Sequence, residues 1–328
     1  MSFSLATIPG AMRMCSKKSA ALLLLLILLL FSGCAVKKNG ISGVADDTYF
    51  GLRDAAGRAM TLAAPPRRIV SLSMRGDDVL FALLGTERIA AFSRFAGNPL
   101  ISNLPPEATE AVPTRAQATL EYLMKLQPDL IVLSESQSPD LVRALREMGT
   151  PVFVSRTIHQ VEESKKLIRD LAAIVGEVEK GEALVAEMER RLSIIAAKTA
   201  KIPQSERVVV YRLTMSGGAG GKGTAYDDCC RLAGVVNGAA EANIQGNQTL
   251  PKEQIVKINP DVIFLPDWDW RGGDVEAYIE ECLSDPALQT VKAIQNKRLR
   301  PIPDKHMLSS SQHIVACVED IYRACYEE

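Results

Sequence analysis

From about residue 68 the chain alternates two textures. Short, unbroken apolar runs are followed by stretches in which apolar residues recur every three or four positions. Arg68-Ile-Val-Ser-Leu-Ser73 reads as a strand, and the helical pattern of Asp77 to Leu84 stops at Gly85. A second strand is expected over Ile89 to Ser93, then a helix from Pro139 to Met148 and a strand from Pro151 to Ser155. Runs that are apolar throughout, rather than at every second position, belong to parallel sheets covered on both faces. Ahead of them YFGLRD, AAGR and AMTLA read as a β-hairpin. From Ile158 to about Ala200 there is no proline, and Leu167, Leu171, Ile174 and Val175 keep helical spacing among Glu, Lys and Arg. The pattern predicts one long helix, bent near Gly176 and Gly181, of up to ~60 Å at 1.5 Å per residue. Beyond Pro203 the alternation restarts: strand Arg207 to Leu213, helix Tyr226 to Leu232, helix Val275 to Leu283, strand Leu299 to Ile302 and helix Ser309 to Tyr326.

Within that alternation one phrase occurs twice. EYLMKLQPDLIVL begins at Glu121 and EQIVKINPDVIFL at Glu253, with Lys125, Pro128 and Asp129 matching Lys257, Pro260 and Asp261. Proline disfavours helix in the residue before it, so each copy predicts a short helix that ends at Pro128 or Pro260 and leads into a buried strand. The expected fold is α/β: two lobes, each a mainly parallel sheet flanked by helices, joined by one long backbone helix. The boundaries read as 47–157 for the first lobe, 158–202 for the connecting helix and 203–328 for the second lobe.

The N-terminus departs from this pattern. Arg13, Lys17 and Lys18 precede twelve apolar residues, Ala20 to Phe31. Those span ~18 Å, short of the ~30 Å hydrocarbon core, which suits the apolar segment of a signal peptide better than a membrane-crossing helix. Phe31-Ser32-Gly33-Cys34 follows, and resembles the lipobox at which a bacterial signal peptidase cuts before a lipid-bearing cysteine. The expectation is a signal peptide over 1–33, a lipidated Cys34 and a tether over 34–46; the alternative is an ordinary cleaved signal. Acyl chains contributing about 0.8 kcal/mol per buried methylene would tether the chain outside the cytoplasm without crossing the bilayer. Losing residues 1–33 takes three basic and no acidic side chains from a formal charge of −1, leaving −4, which argues against a nucleic-acid partner. Cys229, Cys230, Cys282, Cys317 and Cys325 remain, an odd number whose pairing stays open.

Two such lobes behind a lipobox resemble the helical-backbone class of periplasmic binding proteins, which serve ABC importers for iron complexes and cobalamin. The resemblance runs over about residues 48 to 326 through GRAMTLAAPPRRIVSLS, DDVLFALLG, LEYLMKLQPDLIVLSE, LVRALREMGTPVFV, GVVNGAAE, KEQIVKINPDVIFLPD and LQTVKAIQNKRLRPIP. It implies a carrier rather than an enzyme, needing no cofactor, with its ligand in the cleft between lobes. It also implies that Glu121 and Glu253 dock on the two permease subunits; an acid in a helix's first turn also stabilises the helix by ~0.3–1 kcal/mol. The implied partners are a ferric siderophore, haem or a corrinoid, the permease dimer with its ATPase, and the membrane through the lipid.

Open α/β sheets bind ligands where strands end and loops begin. In the first lobe those places hold Arg75, Arg94 and Arg115. The class often carries aromatic residues at the second and third of these positions, so arginine there is a departure; guanidinium groups suit carboxylates and other anions. In the second lobe Pro266-Asp-Trp-Asp-Trp270 holds the chain's two tryptophans, Trp268 and Trp270, candidate platforms for a planar ligand. By resemblance Asn247, Lys305 and His306 fall near the rim, with no metal role assigned to the histidine. Ser216-Gly-Gly-Ala-Gly-Gly-Lys-Gly-Thr224 is not a phosphate loop, since Ser216 and Gly223 stand where glycine and Ser or Thr are required. Lys222 and Tyr226 beside it are further candidate contacts. Cobalamin is the alternative ligand within the class. A sensory lipoprotein and an extracellular enzyme are the competing classes, and neither G-x-S-x-G nor H-E-x-x-H occurs to support the second.

Overall fold

A computed structural model describes residues 50–327, except 55, 56 and 58; the expected signal peptide, lipidated Cys34 and tether lie outside the described residues. Strands β1 (Phe50–Arg53) and β2 (Ala59–Leu62) pair antiparallel, forming the expected hairpin. Two four-stranded parallel sheets follow. The first contains β3 (Ile69–Ser71), β4 (Ile89–Ala91), β5 (Leu130–Ser134) and β6 (Val152–Ser155), in the order β4-β3-β5-β6. The second contains β7 (Val209–Arg212), β8 (Val236–Asn237), β9 (Val262–Leu265) and β10 (Leu299–Pro301), in the order β10-β9-β7-β8. Counted from its own first strand, each sheet has the order 2-1-3-4. The chain therefore reverses its direction of travel between β3 and β5 in one sheet and between β7 and β9 in the other. Val236–Asn237, a two-residue edge strand, is too short for any periodicity to show in the sequence.

The repeated phrase builds the same unit in both sheets. Helices α1 (Met74–Leu84), α2 (Pro106–Ala111) and α3 (Leu120–Lys125) lie in the first half, and α3 leads into β5. Its counterpart, α9 (Lys252–Ile258), leads into β9. The residue before each proline, Gln127 or Asn259, adopts φ of 49° in the left-handed region, so the helix ends there. Asp129 then accepts hydrogen bonds from the N–H groups of Arg67 (2.6 Å) and Arg68 (2.7 Å), just ahead of β3. Asp261 accepts one from Val209 N–H (2.9 Å), the first residue of β7. The Pro-Asp pair thus stops a helix and fastens the third strand of each sheet to the start of the first.

The 158–200 segment is not one long helix. It forms α5 (Val161–Val175) and α6 (Val178–Thr199), after α4 (Pro139–Glu147) in the first half. Gly176 sits at φ 79°, ψ 22°, a left-handed terminus that costs glycine little, and the guanidinium of Arg88 caps the Val175 carbonyl at 2.9 Å. The chain then turns back rather than bending. Arg169 pairs with Glu182 and Lys165 with Glu189, an order that makes the two helices antiparallel. A Cβ on Gly181 would lie 2.4 Å from that of Ala172, so the glycine is what lets the helices approach. The long connection is α6, whose 22 residues span about 33 Å. Near its start Lys180 donates to the Leu83 carbonyl of α1 (3.0 Å), and near its end Lys198 pairs with Glu327 (2.6 Å).

The second half adds α7 (Ala225–Leu232), α8 (Gly238–Glu241), α10 (Val275–Ser284), α11 (Lys292–Gln295), α12 (Asp304–Met307) and α13 (Ile314–Tyr326). One apolar core runs from Val79 and Leu80 beneath the first sheet, through Ile168, Leu171, Val185 and Met188, to Val315 and Val318 beside the second. A connection buried in this way resists relative motion of the sheets more than an exposed linker would. Among the described residues no helix is long and apolar enough to cross a membrane. Cys229, Cys230, Cys317 and Cys325 are buried free thiols, and Cys282 is a half-buried one; Cys317 and Cys325 both lie on α13, as expected.

Candidate functional site

A cavity of about 650 Å³ opens at the carboxyl ends of β3 and β5, where the order of the first sheet reverses. Leu72 and Ser73 follow β3 into it, while Ser134 and Ser136 come from the end of β5; Lys305, Leu308 and Ser309 approach from the second half. Ser73 caps α1, its hydroxyl accepting from Gly76 N–H at 3.2 Å, which directs the first turn of α1 and its Arg75 to the cavity. A pocket of about 120 Å³ lies at the corresponding reversal of the second sheet, between the ends of β7 and β9, lined by Arg212, Thr214, Trp268 and Trp270. Leu308 lines both. The reversal point is where a doubly wound sheet leaves its strand ends uncovered, so this pair of adjoining spaces is the candidate ligand site.

The predicted residues divide. Arg75 and Arg94 line the larger space. Arg75 is tied to the Arg156 carbonyl, and burial lowers its pKa, an effect that the charge of Glu135 opposes. Arg94 is exposed and stacks over the ring of Phe95, 4.5 Å from its centroid. Trp268 lines the smaller pocket and meets Phe95 edge to face, centroids 6.3 Å apart. Its loop is held by Asp304, whose carboxylate accepts from the N–H groups of Asp267 (3.0 Å) and Trp268 (3.1 Å) and pairs with Arg212 at 3.3 Å. Burial raises the pKa of Asp304, and Arg212 counters it. Trp270 is 60% exposed under the guanidinium of Arg271.

Others are not brought to this site. Arg115 turns its guanidinium onto the carbonyls of Ala96 (2.9 Å) and Val112 (2.7 Å), so it staples its own loop, and the following Ala116, Gln117 and Ala118 reach the cavity instead. His306 places Nδ1 2.6 Å from Asp320 of α13 and lines neither space. Asn247 is exposed beside Gly218 and lines neither. Lys222 lines a separate cavity of about 690 Å³, along β8 and the start of α7, which shares no lining residue with the other two. Tyr226 is buried, its ring beneath Gly220, and burial raises its pKa well above the usual value. The glycine-rich loop has a packing role. Gly221 and Lys222 donate to the carbonyls of Gly246 and Ile244, and a Cβ on Gly221 would lie 2.2 Å from the Ile244 oxygen. Asp227 already takes the Gly223 N–H, so no phosphate is needed there.

Glu121 and Glu253 stand in the first turns of α3 and α9, both exposed; Glu121 pairs with Lys125 at 2.7 Å. Sequence reasoning missed Asp78, Phe95, Asn103 and Gln117, all lining the cavity. Asp78 belongs to the helical pattern of α1, and Asn103 to a loop without periodicity, so neither carried a signal. Among the described residues no group of three His, Cys, Asp or Glu is placed to hold a metal ion.

Known proteins share this architecture. The haem-binding protein RhuT from Roseiflexus superposes with a TM-score of 0.66 at 24% identity, covering 79% of this chain and 99% of that one. An ABC transporter substrate-binding lipoprotein of Bacillus subtilis, YvrC, is 24% identical over 284 residues, 84% of this chain and 85% of its own. A cobalamin-binding protein of Halobacterium salinarum is 26% identical over 214 residues, 64% of this chain; the match spans only 56% of that relative's length. The model of a family described as periplasmic binding protein matches residues 69–306, from the start of β3 into α12. With both sheets and most of the lining of the site between them inside that match, the chain belongs to the periplasmic binding protein family, a family of binding proteins rather than enzymes.

Proposed function

We propose that this protein is a lipid-anchored substrate-binding protein that captures an anionic iron complex, a ferric siderophore or haem, in the cavity between its sheets and hands it to an ABC importer. The observation that carries the reading is the cationic side of that cavity: Arg75 and Arg94 from the first half stand with Lys305 from the second among serine and amide groups. Charge-assisted hydrogen bonds from such groups contribute about 1.5–3 kcal/mol each to holding carboxylate or similar oxygens. The haem-binding likeness and the lipoprotein relative support the ligand class and the anchor. Glu121 and Glu253, exposed at equivalent places on α3 and α9, are the groups that would meet the permease subunits.

A corrinoid is the second reading, favoured by the aromatic rim of Phe95 and Trp268 and by the cobalamin-binding relative. Titrating the soluble chain, from about residue 40, with ferric citrate, ferric hydroxamates, haemin and cobalamin separates the two by quenching of Trp268 and Trp270. Saturable quenching by an iron complex supports the first reading and by cobalamin alone the second. Quenching by none of them rejects both.

A further inference from the structure

Asp78 is 5% exposed, yet it lines the cavity and stands where the two halves of the chain meet. From the first half, its carboxylate Oδ2 accepts from Asn103 Nδ2 at 3.4 Å. From the second half, the same oxygen accepts from Ser311 Oγ at 2.7 Å. Asn103 Nδ2 also donates to the Lys305 carbonyl at 3.1 Å, and Gln312 Nε2 donates to the Asp78 carbonyl at 3.0 Å. Three side-chain bonds thus converge on Asp78 of α1, and of these and the Asn103–Lys305 bond, three cross from one half to the other. The residues they anchor, Lys305 and the loop through Ser310, are those that face Arg75 and Arg94. Ser310 is held from behind as well, its carbonyl accepting from Ser164 of α5 at 3.2 Å.

We propose that Asp78 is the positioning residue of the cleft, the buried acceptor that holds Ser311 and, through Asn103, Lys305 in the register that puts the second half's wall opposite the first half's arginines. The role rests on the reading of this cavity as the ligand site, but the latch itself exists without ligand. A carboxylate suits it because one oxygen takes two donors at once. An asparagine keeps that oxygen, whereas an alanine leaves the Ser311 hydroxyl and the Asn103 amide without it, and the seam loosens toward water.

Trp268 supplies a readout at the other end of the same seam, where it touches Phe95. In a Trp270→Phe background it is the chain's single tryptophan. Acrylamide quenching of the ligand-free protein is expected to give a Stern–Volmer constant at least twofold higher for Asp78→Ala than for the parent, with Asp78→Asn within a quarter of the parent value. The double variant Asn103→Ala, Ser311→Ala, which keeps Asp78, is expected to match Asp78→Ala and serves in its place if that variant fails to fold. Parent-like quenching in a folded Asp78→Ala or in the double variant overturns the proposal. No ligand enters this measurement, so its outcome is separate from whether an iron complex binds.

Discussion

Asp129 and Asp261 occupy the same place in two sheets, each fastening a third strand to the start of a first. They differ in load. Asp129 takes two backbone N–H groups, at 2.6 and 2.7 Å, while Asp261 takes one at 2.9 Å and a lysine, Lys292, at 3.4 Å. Removing an acceptor leaves its donors to water or unpaired, at about 1–3 kcal/mol. Asp129→Ala is therefore expected to cost about 2–3 kcal/mol and Asp261→Ala about 1–2 kcal/mol, by urea unfolding. Equal costs would show that the two strand junctions are not distinguished by their bonding.

Two arginines on neighbouring loops are expected to fail in opposite ways. Arg94→Ala removes an exposed cavity cation and should weaken binding of ferric citrate or haemin about tenfold or more, with unfolding changed by less than about 0.5 kcal/mol. Arg115→Ala frees the carbonyls of Ala96 and Val112 and should destabilise by about 1–3 kcal/mol while affinity moves little. Isothermal titration alongside thermal unfolding reads both.

Between the connecting helices, Gly181→Ala places a methyl where the Ala172 methyl already lies. Overpacking of this kind costs about 1–3 kcal/mol, and here it pushes α6 off α5. A melting temperature lowered by several degrees is expected, partly restored by adding Ala172→Gly. Failure of the second change to restore any stability would remove the contact as the cause.

The buried acids of α1 make stability depend on pH. Burial pushes Asp77 up to about 7, against the hydrogen bonds from Ser93, and Asp78 up to about 6. A folded-state pKa raised above the unfolded value means that the folded chain keeps protons the unfolded chain has released. The stabilisation is present below about pH 4 and is lost as pH rises through 6 and 7. His313 runs the other way: burial lowers it to about 4, so its contribution is lost as pH falls below 6.5. Asp77→Asn isolates the first effect. Relative to wild type it should gain about 2–4 kcal/mol between pH 4.5 and 8.5, measured as the difference in unfolding free energy at each pH. A pH-independent difference would show that Asp77 is not protonated in the fold.

Docking is tested by charge reversal. Glu121→Arg with Glu253→Arg is expected to leave ligand affinity within twofold of wild type, because both side chains are exposed and line neither space of the candidate site. Ligand uptake by cells carrying only this variant should fall at least tenfold. Normal uptake would leave these acids as helix-end charges alone.

The sequence by itself determined the alternation of strands and helices and the equivalence of the two halves, because buried parallel strands and proline-terminated helices are local patterns; the family came from resemblance of whole phrases and not from those patterns. The Pro-Asp pairs at 128 and 260 were visible as a repeat, although the bonds that Asp129 and Asp261 make were not. Tertiary structure alone decided that the chain reverses at Gly176: a left-handed glycine permits a bend or a turn, and the choice lies in Gly181 seating on Ala172 and Arg88 closing the end of α5. It also decided which arginines face the cavity. Arg94 and Arg115 look alike as residues on loops after strands, and differ because the 96–112 loop brings its carbonyls around one guanidinium and not the other. The seam at Asp78 and Ser311 joins positions 233 apart, and no local pattern records a contact whose partners only the packed helices bring together.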